Sequence, residues 1–417
     1  MSGAISVAAY TLGCKVNQCD TDAILGLLSN IGCVICNFNE EASIYIINTC
    51  TVTHASDKKS RQVIRRTKKA NPNAFIAVCG CLVNKTPEAV HDVDFIFDSR
   101  KPGAFVAKVA EMVQLAGRVT QNARIKTRTR AFVKIQDGCD RFCSYCIVPY
   151  VRGAPVSRPV QDIEAEIQAR VSGGTQEIVL TGIQVASYGE DTKDTTLAAF
   201  IRRLITVEGL KRLRLSSLEP CAITDEFLDI IKSSDILCPH FHLSLQSGSD
   251  TCLKRMNRRY TTAQYVKIVA NIRAICPSVA MTTDVIVGFP GETDEEFAQT
   301  MAFVQQIGFA RIHVFEYSKR EGTPAASAPN QVAEIIKTQR SKQLRSLAET
   351  LQINFYKLQI GTVADVLFET QKAPTNWVGH TGNYCQVQVS SGKNLHNTIK
   401  QVEITGYNQD GLLGNII

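Results

Sequence analysis

Asp137-Gly-Cys139-Asp-Arg-Phe-Cys143-Ser-Tyr-Cys146 follows directly on the strand-like run Phe132–Gln136, and the reading of this stretch decides the fold. Its thiols are spaced C-x3-C-x2-C. Even in a chain with 15 cysteines, that spacing arises by chance only ~0.02 times. Three thiolates so placed can hold three irons of a [4Fe–4S] cube, leaving the fourth iron open to a chelating substrate or cofactor. Zinc is the alternative. Structural zinc takes four ligands, and no fourth Cys or His lies within a few residues; the next cysteine, Cys221, is 75 positions on.

Outward from this loop runs a regular series. Strand-like segments at Phe132–Gln136, Glu177–Thr181, Arg212–Ser217, Phe241–Gln246, Thr283–Val287 and Arg311–Phe315 are separated by helical patterns at Asp162–Val171, Thr224–Lys232, Thr262–Ile275 and Asp294–Ile307. Six βα units predict an open or partial parallel barrel, whose chemistry sits on the loops after the strands. A long helical pattern, Gln331–Tyr356, closes it. Upstream, strands Ile5–Leu12, Ser43–Asn48, Ala74–Val78 and Asp94–Phe97 alternate with helices Asp20–Asn30, Asp57–Ala70, Lys85–Val90 and Ala104–Leu115. This predicts a doubly wound parallel sheet. From Gly361, β alternation at Thr362–Glu369, Tyr384–Val389, Thr398–Thr405 and Gly411–Ile416 predicts a small antiparallel barrel. The expected α/β multidomain layout is therefore 1–120, 125–355 and 357–417. Arg124-Ile-Lys-Thr-Arg-Thr-Arg130 links the first two; extended, its four cations share one side.

Composition agrees with several packed domains. The 417 residues exceed one ordinary domain of roughly 150, and 44% hydrophobic against 20% charged excludes a disordered chain. No apolar run approaches the ~20 residues of a membrane span. Met1-Ser-Gly-Ala-Ile5 has no basic region followed by an apolar one, so a cytoplasmic protein with reduced thiols is expected. The net charge of +7 hints at a polyanionic partner. Between Lys58 and Lys69 stand seven cations and no acid, and Lys58, Arg61, Arg65, Arg66 and Lys69 share one helical face. Phosphates reward such a stripe, although taken alone a basic face is more often merely solvated. Lys337, Arg340, Lys342 and Arg345 add to it, whereas residues 356–417 balance four lysines against four acids. No Ser/His/Asp set or carboxylate pair stands out, and His54, His240 and His242 read as surface or packed side chains.

Cys14, Cys50 and Cys81 each fall just beyond a predicted strand of the first segment. In a parallel sheet these ends share one edge, where doubly wound folds bind ligands, so the three thiols could converge. The alternative is three separate small core residues.

The words around these cysteines carry a resemblance. Cys139-x3-Cys143-x2-Cys146-Ile-Val-Pro-Tyr-Val-Arg152-Gly resembles the cluster loop of radical S-adenosylmethionine (SAM) enzymes. Thr11-Leu-Gly-Cys14-Lys-Val-Asn17, Ile47-Asn-Thr-Cys50-Thr-Val-Thr53 and Cys79-Gly-Cys81 are similar to the auxiliary-cluster motifs of the methylthiotransferases within that superfamily. The resemblance covers essentially the whole chain. It implies a radical SAM core, a C-terminal TRAM-like RNA-binding barrel and two [4Fe–4S] clusters. Cys139, Cys143 and Cys146 would hold the catalytic cluster whose open iron binds SAM, one electron then yielding a 5′-deoxyadenosyl radical. Cys14, Cys50 and Cys81 would hold the cluster that presents sulfur, with Cys79 an extra thiol. Thr181 and Gly182 match the family's SAM contact, and Ser217, Glu219 and Gln246 line the same mouth by position.

Gly13-Cys-Lys15-Val-Asn-Gln18, Asn48-Thr-Cys-Thr-Val-Thr53 and Ser56-Asp57-x2-Ser60-Arg61 look most like the subgroup acting on N6-threonylcarbamoyladenosine at tRNA position 37, beside the anticodon. Those enzymes exchange the C2–H of the base for C2–SCH3. That hydrogen is beyond ordinary acid/base catalysis, so a cofactor must carry the hard step. An electron donor such as flavodoxin or ferredoxin is implied, and a sulfur source that the sequence does not name. Two rival substrates share the chemistry: isopentenyladenosine in tRNA, and an aspartate of a ribosomal protein. A non-catalytic iron–sulfur RNA-binding or redox-sensing protein is the rival from another class; a sensor needs no open iron.

Overall fold

The computed structural model of the chain describes residues 5–116 and 129–417. The expected linker 124–130 therefore lies outside the described residues up to position 128. Packing divides the chain into two compact units. One comprises Met1–Lys126, Asp137–Ala154 and Ser318–Ala326, and the other Thr127–Gln136, Pro155–Tyr317 and Ser327–Ile417. The cysteine loop after Phe132–Gln136 thus packs within the same unit as the N-terminal sheet.

In that first unit, β1 (Ser6–Thr11), β2 (Val34–Cys36), β3 (Ile44–Thr49), β4 (Phe75–Gly80) and β5 (Phe95–Ile96) form a parallel sheet in the order β2-β1-β3-β4-β5. The edge strand β2 escapes the sequence pattern because three residues carry no period. Central β3 is buried throughout, as a strand covered on both faces must be. Its alternation sends Ile44 and Ile46 toward α1 (Lys15–Asn30) and α4 (Gly103–Ala116), where Ile24, Leu28, Phe105 and Val109 pack. Tyr45 and Ile47 face Ile64 of α2 (His54–Ala70) and Leu82 of α3 (Cys81–Lys85). The short α5 (Val148–Arg152) lays Ile147 and Val151 on Cys81.

The second unit carries the six-strand series. One sheet runs β7-β6-β8-β9, built from β6 (Arg130–Asp137), β7 (Val156–Ser157), β8 (Glu177–Gly182) and β9 (Arg212–Leu215). The other is β10 (His240–His242), β11 (Ala280–Val287) and β12 (Arg311–Glu316), joined to the first by single bridges at Leu213–Leu237 and Leu218–Leu243. This is the open parallel wall the alternation predicts. The expected strand Phe241–Gln246 stops at His242, and Gln246 takes a positive φ of 69°. Around the wall stand α6 (Val160–Ser172), α7 (Leu197–Leu204), α8 (Asp225–Ser233), α9 (Asp250–Arg255), α10 (Thr262–Ile275) and α11 (Asp294–Ile307), followed by the long helix Glu334–Lys357. Capping boxes at Thr261/Gln264 and Thr293/Glu296 start α10 and α11. That long helix corrects one reading of the basic residues. Lys337 and Arg340 are buried, held by Glu334 and by Glu292 and Asp294 respectively, so neither is available to phosphate.

Five strands, β13 (Val363–Ala373), β14 (Asn376–Thr381), β15 (Gln386–Ser390), β16 (Ile399–Asn408) and β17 (Gly411–Ile416), close a barrel in the order β13-β14-β15-β17-β16. The β15–β17 pair is parallel and the rest antiparallel. The sequence reading found four of these strands and missed β14.

Charge fastens this barrel to the wall. Glu177, fully buried, accepts from Arg214 Nε at 2.7 Å and sits 3.7 Å from Arg212. Arg212 donates to the carbonyls of His380 (3.0 Å) and Asp365 (2.6 Å), and Arg214 to that of Gly382 (2.9 Å). The guanidiniums of Arg214 and Arg130 lie 4.5 and 5.1 Å from the ring centre of Tyr384. Arg130, the one described cation of the expected linker, is also paired with Glu369 at 2.7 Å.

Burial raises the proton affinity of Glu177, but the charges of Arg214, Arg130 and Arg212 outweigh it and hold the carboxyl below its usual range. A carboxyl lowered on folding stabilises the fold above its unfolded value of about 4.3, and that contribution fades as pH falls through the folded value. Glu177→Gln leaves Arg214 buried without its counter-charge, and should cost about 3 kcal/mol at neutral pH. Urea unfolding followed by the fluorescence of Trp377, the chain's one tryptophan, should show this gap, and the gap should narrow below about pH 4.3.

Candidate functional site

Cys14, Cys50 and Cys81 follow β1, β3 and β4, three neighbours in the sheet. Cys14 caps α1 and Cys81 opens α3. The chain reverses its order between β1 and β3, the place where open parallel sheets form a crevice. Gly13 and Gly80 make the approach possible. Each has a positive φ (97° and 94°). A Cβ on Gly13 would stand 2.9 Å from Cys50 Sγ, and one on Gly80 2.4 Å from Asn48 Oδ1.

Polar groups hold the thiols. Asn17 Nδ2 donates to the carbonyls of Leu12 (2.8 Å) and Thr49 (2.9 Å), while its Oδ1 lies 3.8 Å from Cys14 Sγ. Ser60 Oγ accepts from the Cys50 amide (3.1 Å) and donates to the Cys50 carbonyl (2.9 Å). Thr51 beside it donates to Asp57, which also receives Arg61 and Arg320, each at 3.1 Å. Arg61 of the basic stripe is therefore engaged, whereas Lys58, Arg65, Arg66 and Lys69 are exposed.

Cys50 and Cys81 are buried and Cys14 exposed. Burial raises both buried thiols, Cys81 to about 11, against the lowering charge of Arg152, and the Cys14 charge raises both further. Cys79 lies on the opposite face of the sheet, packed with Ile44 and Phe105, and burial with Asp20 and Asp98 pushes it far up.

In the loop Cys139–Cys146, the Cys139 amide donates to the Gly153 carbonyl and the Cys146 amide to that of Cys143, both at 2.9 Å. Cys143 is buried; Cys139 and Cys146 are half-buried. Each set offers three thiols, one short of the four ligands that structural zinc takes, and three thiolates can hold three irons of a [4Fe–4S] cube, so both donor sets fit a polynuclear centre.

The residues matched to SAM contacts lie in the second unit, at or beyond the carboxyl ends of its strands. Thr181 and Gly182 end β8. Ser217 and Glu219 follow β9, and Gln246 follows β10. Thr181 and Gln246 are buried and Ser217 is exposed. Glu219 pairs with buried Arg258 at 3.0 Å. The sequence reading takes His242 for a surface or packed side chain. Its Nε2 stands 3.1 Å from Asp284 Oδ2, its Nδ1 is 3.1 Å from Thr282 Oγ1, and His313 faces Asp284 across the β11–β12 ladder. Donor atoms of His242, Asp284 and His313 all lie within 4.8 Å of one another, close enough for one divalent ion. Asn17, Ser60 and Arg152 stand in the motifs around the cysteines, and that flanking position is the only signal of their roles in the sequence.

No described helix is long and apolar enough to cross a membrane. Residues 133–304 match the "Radical SAM superfamily" model and residues 6–99 the "Uncharacterized protein family UPF0004" model. The threonylcarbamoyladenosine tRNA methylthiotransferase MtaB of Bacillus subtilis (strain 168) is 39% identical over 96% of this chain and 93% of its own. The tRNA-2-methylthio-N(6)-dimethylallyladenosine synthase of Carboxydothermus hydrogenoformans is 34% identical over 95% of each. Among solved structures, the radical S-adenosylmethionine methyltransferase TsrM from Kitasatospora setae, with cobalamin and a [4Fe-4S] cluster bound, superposes with a TM-score of 0.58. At 12% identity over 78% of this chain and 74% of that one, it speaks to the fold alone. Two cysteine triads, a parallel βα wall and relatives matched nearly end to end place this chain in the radical SAM methylthiotransferase family.

Proposed function

We propose that this enzyme exchanges the C2–H of N6-threonylcarbamoyladenosine at position 37 of tRNA for C2–SCH3. The observation that carries the reading is the gathering of Cys14, Cys50 and Cys81 at one sheet edge, in the compact unit that also holds the Cys139–Cys146 loop. The substrate follows from the MtaB relative at 39% identity.

Cys139, Cys143 and Cys146 would hold the catalytic cluster, and Cys14, Cys50 and Cys81 the auxiliary one. With SAM bound, the two clusters supply reductive C–S cleavage, hydrogen abstraction at C2 and the sulfur that replaces the hydrogen. The protein's own work is placement. Asn17 braces the strand ends before Cys14 and Cys50, and Ser60 holds the Cys50 backbone; Thr181, Gly182, Ser217, Glu219 and Gln246 would orient SAM. Lys58, Arg65, Arg66 and Lys69 offer exposed cations to the tRNA backbone, with Arg61 shared with Asp57. The working division is 1–120 for the auxiliary cluster, 125–355 for the radical core and 357–417 for RNA. A cytoplasmic setting and an electron donor of the flavodoxin or ferredoxin kind complete it.

Mass spectrometry of nucleosides from tRNA treated with reconstituted enzyme and SAM tests the substrate. The methylthio product of N6-threonylcarbamoyladenosine should accumulate; product from isopentenyladenosine tRNA alone would transfer the enzyme to the second relative's class. Cys143→Ala should abolish 5′-deoxyadenosine formation, whereas Cys50→Ala should keep it and lose the methylthio product. The intact chain should hold about eight irons. Gly80→Ala, which drives a methyl into Asn48, should lower that to about four while sparing deoxyadenosine formation.

A further inference from the structure

Arg152 ends α5, directly behind the Cys139–Cys146 loop, yet its side chain turns to the other triad and is only 2% exposed. Its Nη1 donates to Asp137 (2.9 Å) and stands 3.3 Å from Asp20; its Nη2 donates to Asn17 Oδ1. The same Asn17 oxygen faces Cys14, and the Asn17 amide nitrogen braces the strand end before Cys50. One buried cation is thus linked through Asn17 to Cys14 and to the strand end before Cys50, while Val151 beside it packs on Cys81.

Three thiolates around a [4Fe–4S] core leave the centre anionic, and each electron added deepens that charge. Arg152 is buried, so little solvent screens its charge. Cluster potentials follow net charge, and Arg152 supplies a positive one.

Resting on the assignment of Cys14, Cys50 and Cys81 made above, we propose that Arg152 is a positioning residue whose buried charge holds the auxiliary cluster and biases it toward its reduced state. The rival is a neutral clamp, in which Arg152 merely ties α5 to α1.

The test uses the full chain carrying Cys139→Ala, Cys143→Ala and Cys146→Ala, reconstituted anaerobically with iron and sulfide. About four irons should bind; none would overturn the cysteine assignment and this proposal with it. In that background, redox titration followed by electron paramagnetic resonance reads the auxiliary cluster alone. Arg152→Gln should lower the reduced-to-oxidised ratio at the parent midpoint at least tenfold, a shift of about 59 mV for one electron, or lose the cluster. Arg152→Lys, which keeps the charge, should retain the cluster with a ratio within threefold of the parent. A glutamine variant with the parent's ratio, or a lysine variant no better than glutamine, would overturn the charge role.

Discussion

A buried amide braces the edge on which the site is built. Asn17 Nδ2 spans the carbonyls of Leu12 and Thr49, tying the end of β1 to that of β3 just where each strand hands over to a cysteine. Asn48, one strand away, returns a bond from its own Nδ2 to the Asn17 carbonyl at 2.9 Å. Strand ends in a parallel sheet carry unpaired backbone groups, and buried ones must be satisfied. Here a side chain satisfies them in a way that also sets the spacing of two thiols. The glycines at 13 and 80 clear the same space.

The second unit uses a different device for a similar end. Its wall is held by apolar packing, Val133, Leu180, Leu213, Leu243, Met281 and Val285 among others. The small barrel is held against it by Glu177, Arg212, Arg214 and the Tyr384 ring. Carbonyls of the barrel accept from guanidiniums anchored in the wall, so the contact is directional where apolar packing would slide. This also answers the balanced charge of residues 356–417. The barrel's acid Glu369 and its carbonyls meet arginines of the wall, and Lys357, Lys372, Lys393 and Lys400 remain exposed.

Much of this was legible in the residues. The C-x3-C-x2-C loop, the six-strand alternation and the three cysteines beyond strands are local patterns, and local patterns depend on period and spacing alone. What escaped was short or non-local. Strand β2 has three residues, β14 carries a glycine at 379 whose Cβ would meet the Leu367 carbonyl, and α7 begins after a polar loop. Arg340 reads as a free cation because its partners Glu292 and Asp294 lie 48 and 46 positions back along the chain.

The sequence by itself determined that two sets of three thiols exist and that each follows a strand. Only the tertiary structure decided which side chains surround them. Arg152 meets Asp20 across 132 positions and Arg320 meets Asp57 across 263, and no spacing rule spans such distances. Burial then turns these meetings into strong electrostatics, because water that would screen the charges has been excluded.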